Sequence, residues 1–436
     1  MGRKRSKSTC LIVKDAYLDR ISCLPDHVID QILSYLPIKE AVRTSILSSK
    51  WSNKWYTLPN LVFDKHCISD TDSQDPSVIN NKFLRIVDHV LLLHYGPINK
   101  FQIRDYYCNL ISLSSMTDIQ RWIIHLTRRP IKEFVLHIWL DERYKIPWCL
   151  FSCQSLHHLE LKCCWLKPPT TFEGFKNLKS LELSHVTMTQ DSFENMISNS
   201  PFLEKLMLFN LDGFSQINIH GPNLKVAHIS GEFEDISFEN TFRLVELTMY
   251  LDYGCNLVKL RGCSSNLLRF FVHLPHIQSL EIHHYFLEYL AAGVVPIKLP
   301  TPCINLRHLS LCIDFDDLKK ILAALCLLKS SPNLRKLEII APEELTGLLT
   351  STSYCWENIF SEPTMPIEVR HVRMHGISGF KSELDFIRFL LLYSPVLEKM
   401  IVEPDLNAKP ELLTELVRFK RASRQAEVIY NVENSS

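Results

Sequence analysis

Two groups of side chains in this 436-residue chain have types and spacing that could do chemistry. Cys149, Cys153, Cys163 and Cys164 surround His157 and His158, a mixture of sulfur and imidazole of the kind that holds zinc. Their spacing matches no common structural zinc site. Leu156, Leu159 and Leu161 also place the stretch on a short aliphatic strand, where cysteine serves as a small core residue. The pairs His273 with His276 and His283 with His284 are no better spaced, so no metal site is expected. A P-loop, a Rossmann glycine fingerprint, a nucleophile elbow and an HExxH helix are all missing from the sequence. Nothing recommends any of the 14 cysteines as a nucleophile. Neither a catalytic residue nor a cofactor is expected, and binding is the function class that remains.

Composition narrows the partner. Basic and acidic residues number 48 each, so the chain as a whole exerts no pull on nucleic acid or an anionic membrane, and neither is expected as a partner. The longest apolar run, Ile321 to Leu328, stops at Lys329, well short of the roughly 18 residues a bilayer span needs. The first residues, Met1-Gly2-Arg3-Lys4-Arg5-Ser6-Lys7, carry no apolar stretch of signal-peptide length. The cysteines therefore read as reduced thiols, and the nucleus and/or cytoplasm as the compartment. The basic tail is either a nuclear localisation signal or a solvated end.

The elements that would position a binding surface come from a repeat. From about residue 98, an aliphatic, two variable residues, an aliphatic, one variable residue and an aliphatic recur, as in Leu156-His157-His158-Leu159-Glu160-Leu161 and Leu178-Lys179-Ser180-Leu181-Glu182-Leu183. The central aliphatics run from Phe101 through Phe134, Leu159, Leu181, Leu206, Ala227, Leu247, Leu280, Leu309, Leu337 and Val372 to Met400, at gaps of 20 to 35 residues. Most gaps lie in or near the roughly 20–29-residue period of leucine-rich repeats. The longer ones imply loops or helices inserted on the outer side. Each repeat reads as a short strand whose last two aliphatics point into a core that only stacked neighbours can close.

The variable residues beside those aliphatics must then face outward on the concave side. They include His158, Glu160 and Lys162 from one repeat, Glu182, Lys205 and Phe209 from the next two, and His228, Tyr250, His283 and His308 further along. These ten are the candidate target-binding residues, against the alternative that the sheet is merely solvated and the loops or convex side bind. Seven of the 36 outward positions are histidine, far above its share of the chain. The histidines are either neutral surface residues or groups that make binding sensitive to pH near neutrality or favour an acidic partner.

The two ends differ from the repeats. After Pro25, the residues Val28, Ile29, Ile32, Leu33 and Leu36 recur at helical spacing and Pro37 stops the helix. A second helix carries Val42, Ile46 and Leu47, and a third is implied around Trp51 and Trp55. Three helices in about forty residues cannot cover their own apolar faces, so part of that surface must meet a partner or the following domain. At the other end, residues 361–430 read as strand, glycine turn, a helix ending before Pro395, strand, a helix near Leu412 to Arg421, and a last strand near Val428.

The N-terminal stretch resembles the F-box of the plant-type family. It matches at Leu24-Pro25, Ile32-Leu33-Ser34-Tyr35-Leu36-Pro37, Val42-Arg43-Thr44-Ser45 and Leu47-Ser48-Ser49-Lys50-Trp51 with Trp55, and departs at His27, where an acidic or small polar residue is commoner. Residues 361–430 resemble the FBD region that follows leucine-rich repeats in many plant F-box proteins. The resemblance implies that Leu24, Pro25, Ile32, Leu33, Leu36, Pro37 and Val42 contact a Skp-type adaptor, and through it a cullin–RING ligase. It also implies that the solenoid holds an unidentified protein target for ubiquitination, by proximity and without catalysis. A leucine-rich scaffold acting outside the ligase is the alternative.

The expected fold is α/β: an N-terminal three-helix F-box, then an irregular leucine-rich-repeat solenoid (a horseshoe) with a C-terminal FBD-like cap. The expected divisions are a flexible basic tail at 1–16, the F-box at 17–62, a connecting helical segment at 63–97, the solenoid at 98–360 and the cap at 361–436.

Overall fold

The computed structural model describes residues 21, 23–68, 75–105, 110–139, 142–252, 265–342 and 366–431. The basic tail lies outside the described residues. The chain divides into two compact units, Met1–Ser112 and Leu113–Ser436.

The first unit begins with helix α1, Asp26–Ser34, which starts immediately after Pro25 and carries an acid, Asp26, in its first turn. Helix α2, Ile38–Arg43, follows Pro37 in the same way and buries Ile38 and Ala41. A 3₁₀ turn, Thr44–Ile46, follows, and the helix expected around Trp51 and Trp55 is a second short 3₁₀ helix, Lys54–Thr57. Around it Ser48, Ser49, Ser52 and Asn53 are weaker helix formers than alanine or leucine, while Trp51 and Trp55 are buried as anchors. Next come strand β1, Asn60–Phe63, helix α3, Pro76–Leu93, and strand β2, Lys100–Arg104. The two strands pair in parallel, Leu61 opposite Phe101 and Phe63 opposite Ile103. Helix α3 has a built start: Pro76 sits in the first turn and the Asp75 carboxylate accepts the Ser77 N–H at 2.9 Å. The stretch at 63–97 holds α3, and with the strands on either side of it makes a β–α–β unit.

In the second unit, twelve strands of the described residues pair in parallel and in chain order, from Glu133–His137 to Glu427–Tyr430. The register lines up the central aliphatics of the repeat. Phe134, Leu159, Leu181, Leu206, Ala227, Leu247, Leu280, Leu309, Leu337, Val372 and Met400 form one row, each no more than 2% exposed. Each such side chain is covered by the repeats before and after it, which is how a stacked array closes its core.

The elements that return the chain differ between repeats. The gaps on either side of Ala227, the two shortest, hold strands Gln216–His220 and Asp235–Glu239, which pair with each other. Longer gaps hold helices, among them Gln190–Ser198, His284–Ala291, Leu318–Lys329 and Lys381–Tyr393. A helix rises about 1.5 Å per residue against about 3.3 Å for a strand, so the same return path needs about twice the residues as helix. The apolar run Ile321–Leu328 lies in one of these helices and is buried. No helix of the described residues is long and apolar enough to cross a membrane.

The final segment follows the expected order of strand, helix, strand, helix, strand. Its first helix, Lys381–Tyr393, is fastened by Glu383, whose carboxylate accepts the N–H groups of Ser378, Gly379 and Phe380 at 3.3, 2.7 and 2.8 Å. The turn before it needs Gly379, which has φ of 86°.

Candidate functional site

Helix α1 has two apolar stripes. Ile29 and Leu33, four residues apart, point inward and are fully buried beside the 3₁₀ helix that carries Trp55. Ile32 and Leu36, also four apart, are 38% and 36% exposed, and Tyr35 beside them is 80% exposed. Ile46 and Leu47, past the end of α2, extend the outward surface at 88% and 52%. Among the seven residues expected to contact an adaptor, Pro25, Ile32, Leu36 and Pro37 are exposed and Leu24 and Val42 half-buried. Leu33 is the correction. It offers no surface, because it lies on the inward stripe, and it supports the outward face from behind. Tyr35, Ile46 and Leu47 were not singled out as contacts, although Tyr35 lies three residues from Ile32. Lys54 steadies α1 through Asp26 and Asp30 at 3.6 and 3.3 Å. So much uncovered aliphatic surface on so small a unit marks an interaction face.

In the second unit the outward residues form rows across the strands. Glu160, Glu182, Met207, His228, Thr248 and Glu281 are successive partners in one row. Glu160 is buried, with His137 Nε2 at 2.5 Å and His158 Nε2 at 3.4 Å. Burial, then the charge of Glu160, pushes the Glu182 carboxyl above the usual carboxylate range. Lys162 lies over the Trp139 ring at 4.5 Å. Glu160, Lys162, Glu182 and Phe209 line one cavity of about 320 Å³, together with His137 and His185.

Further along, the Phe209 and His228 rings are 5.0 Å apart and those of Tyr250 and His283 4.9 Å. Burial holds the His228 imidazole below its ordinary value. The hydrogen bond with His283 Nε2, 3.1 Å away, holds Glu281 low despite its partial burial. His308 Nε2 is 3.9 Å from Glu338 and belongs to a separate group with His375. Lys205 stands exposed in the row that contains His158. The ten candidate residues thus share a face, but the structure gathers only Glu160, Lys162, Glu182 and Phe209 into one cavity. His185 and Asn210, which also line it, sit one residue beyond their strands with φ of 53° and 49°. A strand pattern has no reason to point at them.

Residues 21–63 match the F-box domain family, and residues 119–339 match the family described as FBD-associated F-box protein At5g56370, LRR repeats. The F-box/FBD/LRR-repeat protein At1g13570 of Arabidopsis thaliana is 37% identical over 94% of this chain and 98% of its own length. The FBD-associated F-box protein At5g56370, from the same plant, is 26% identical over 95% of this chain and all of its own length. The chain belongs to the F-box/FBD/LRR-repeat family.

In this F-box/FBD/LRR-repeat protein the cysteine group is part of the packing. Cys153, Cys163 and Cys164 are buried, and burial pushes all three thiols up, Cys153 to about 11. Near neutrality these thiols carry their protons. Among the described residues, no three of histidine, cysteine, aspartate and glutamate converge as a metal set would.

Proposed function

We propose that this protein is the substrate-recognition adaptor of an SCF-type ubiquitin ligase. The F-box unit docks on a Skp-type adaptor through the outward stripe of α1, and the open face of the repeat sheet holds a protein target. The observation that carries the reading is Ile32 on α1 with Tyr35 and Leu36 just past its end, all uncovered, while the other stripe of the helix is fully buried. An exposed apolar strip of this kind marks a place where a partner helix or groove docks. Membership of the F-box family supports a Skp-type adaptor as that partner. The chain contributes no catalytic group and raises the local concentration of a target lysine at the ligase.

Co-purification of the full chain with a Skp-type adaptor and cullin tests the reading. A Leu24→Ala, Pro25→Ala double variant is expected to lose adaptor capture. A wild-type chain that captures no adaptor would be a leucine-rich scaffold outside the ligase, and capture unchanged in the variant would overturn the docking face assigned to the F-box unit.

A further inference from the structure

Charge is not spread evenly along the repeat sheet. Where the strands His308–Cys312, Lys336–Ile340, His371–Ile377 and Lys399–Pro404 begin, Arg307, Arg335, Lys336, Arg370 and Lys399 lie side by side. The backbone fixes their spacing. The Arg307 carbonyl accepts the N–H groups of Arg335 and Lys336, each at 2.9 Å, and the Arg335 carbonyl accepts those of Arg370 and His371, each at 3.0 Å. In register, Lys336 stands between His308 and His371, and His371 stands beside Lys399. Such neighbours on adjacent strands are about 4.8 Å apart. Arg307, Arg335, Lys336 and Arg370 are exposed.

The carboxylates of the same strands do not cancel this edge. Glu338 is engaged by His375 at 2.8 Å and His308 at 3.9 Å, and Glu403 by Arg373 at 2.7 Å and His375 at 2.5 Å. Glu398 pairs with Arg370 at 2.7 Å and lies 3.6 Å from His371. Glu368 and Glu427 stand at the margin, Glu427 opposite Lys399. Among the described residues, no carboxylate comes within ion-pair distance of Arg307, Arg335, Lys336 or Lys399. Like charges facing one another on adjacent strands destabilise a sheet. The fold therefore gains nothing from gathering these cations, whereas an anionic partner does.

We infer that the target is recognised through an acidic stretch of its chain, laid across these strand beginnings with its carboxylates among Arg307, Arg335, Lys336 and Arg370. The inference rests on the proposed adaptor function and names the chemistry of the signal that the repeat sheet reads. A row of exposed cations steers an acidic segment to the sheet, and guanidinium groups grip carboxylates through two parallel hydrogen bonds, which sets the segment's register. Nucleic acid fits this edge less well, because the four strands carry no Phe, Tyr or Trp on which bases could stack.

The test titrates the full chain with a fluorescein-labelled decapeptide of alternating glutamate and alanine, read by fluorescence anisotropy at low and physiological salt. The wild type is expected to bind the peptide and to lose affinity as salt rises, since salt screens exposed charges. An Arg335→Glu, Lys336→Glu double variant is checked for fold by circular dichroism and for capture of a Skp-type adaptor. It is expected to bind the peptide about tenfold more weakly or worse, and Arg335→Gln, Lys336→Gln takes its place if the reversal unfolds the chain. A Lys319→Glu, Arg388→Glu variant makes the same change of net charge on the helices Leu318–Lys329 and Lys381–Tyr393 and is expected to keep the wild-type affinity. Peptide binding that is absent from the wild type, indifferent to Arg335 and Lys336, or lost equally in the control overturns the inference, and the adaptor reading stands wherever adaptor capture persists. A wild type that binds the peptide but captures no adaptor overturns the adaptor reading and leaves an acid-binding edge on a scaffold. An oligo-dT strand that binds through Arg335 and Lys336 more tightly than the peptide overturns the inference in favour of nucleic acid.

Discussion

Ile32 and Leu33 are neighbours in sequence, similar in size, and assigned opposite tasks by their burial. Leu33 is fully buried and Ile32 is 38% exposed. Truncating each to alanine should therefore separate folding from binding. Leu33→Ala removes packed methyl groups and leaves a void, at a cost of about 2–5 kcal/mol of unfolding free energy. Ile32→Ala removes groups that the isolated chain only partly covers, and should cost less than about 1 kcal/mol of stability. At the interface the order reverses. Ile32 would sit at the centre of the docked face, where truncation typically costs about 2 kcal/mol or more, roughly thirtyfold in affinity. Leu33→Ala should weaken binding only as far as it unfolds the unit. Urea unfolding followed by tryptophan fluorescence, which sees Trp51 and Trp55, gives the first pair of numbers, and titration calorimetry with the adaptor gives the second. Equal loss of stability in the two variants, or undiminished affinity in Ile32→Ala, would refute the division of α1 into a supporting and a contacting stripe.

Burial is the largest effect on Glu383 and raises its carboxyl, so its contribution to stability is fully present below the unfolded value and is lost as pH rises through the raised folded value. Thermal unfolding against pH should therefore be flatter for Glu383→Gln, and Glu383→Ala should lose about 1–3 kcal/mol by stranding three backbone N–H groups. Glu160→Gln removes a charge that raises Glu182, so the Glu182 carboxyl should titrate lower in the variant, as read by carboxyl-carbon NMR. Among the described cysteines, exposed Cys23 should react first with a thiol reagent at pH 8. Buried Cys153, Cys303 and Cys326, with thiols pushed up to about 11, 12 and 11, should stay protected until the chain unfolds.

The repeat was legible because its information is local. Aliphatics two residues apart must share a side of a strand, and the recurring central residue marks where each strand crosses the core. The row from Phe134 to Met400 is that pattern in space. The outer strands Gln216–His220 and Asp235–Glu239 were not foreseen. Their alternations, Ile217 with Ile219 and Ile236 with Phe238, are brief, and each becomes a strand because the neighbouring repeat brings the other alongside.

By itself the sequence determined the order of elements, the repeat, the inward row, and the presence of more apolar surface near the N-terminus than forty residues can bury. Only the tertiary structure decided which half of the broad apolar stripe on α1 is core and which is open, and which four of ten outward residues meet in a cavity. The reason is geometric. Helical spacing places Ile29, Ile32, Leu33 and Leu36 on adjoining stripes that periodicity cannot rank, and the choice between them is made by the 3₁₀ helix that carries Trp55, about twenty residues away, which packs on one side and leaves the other to solvent.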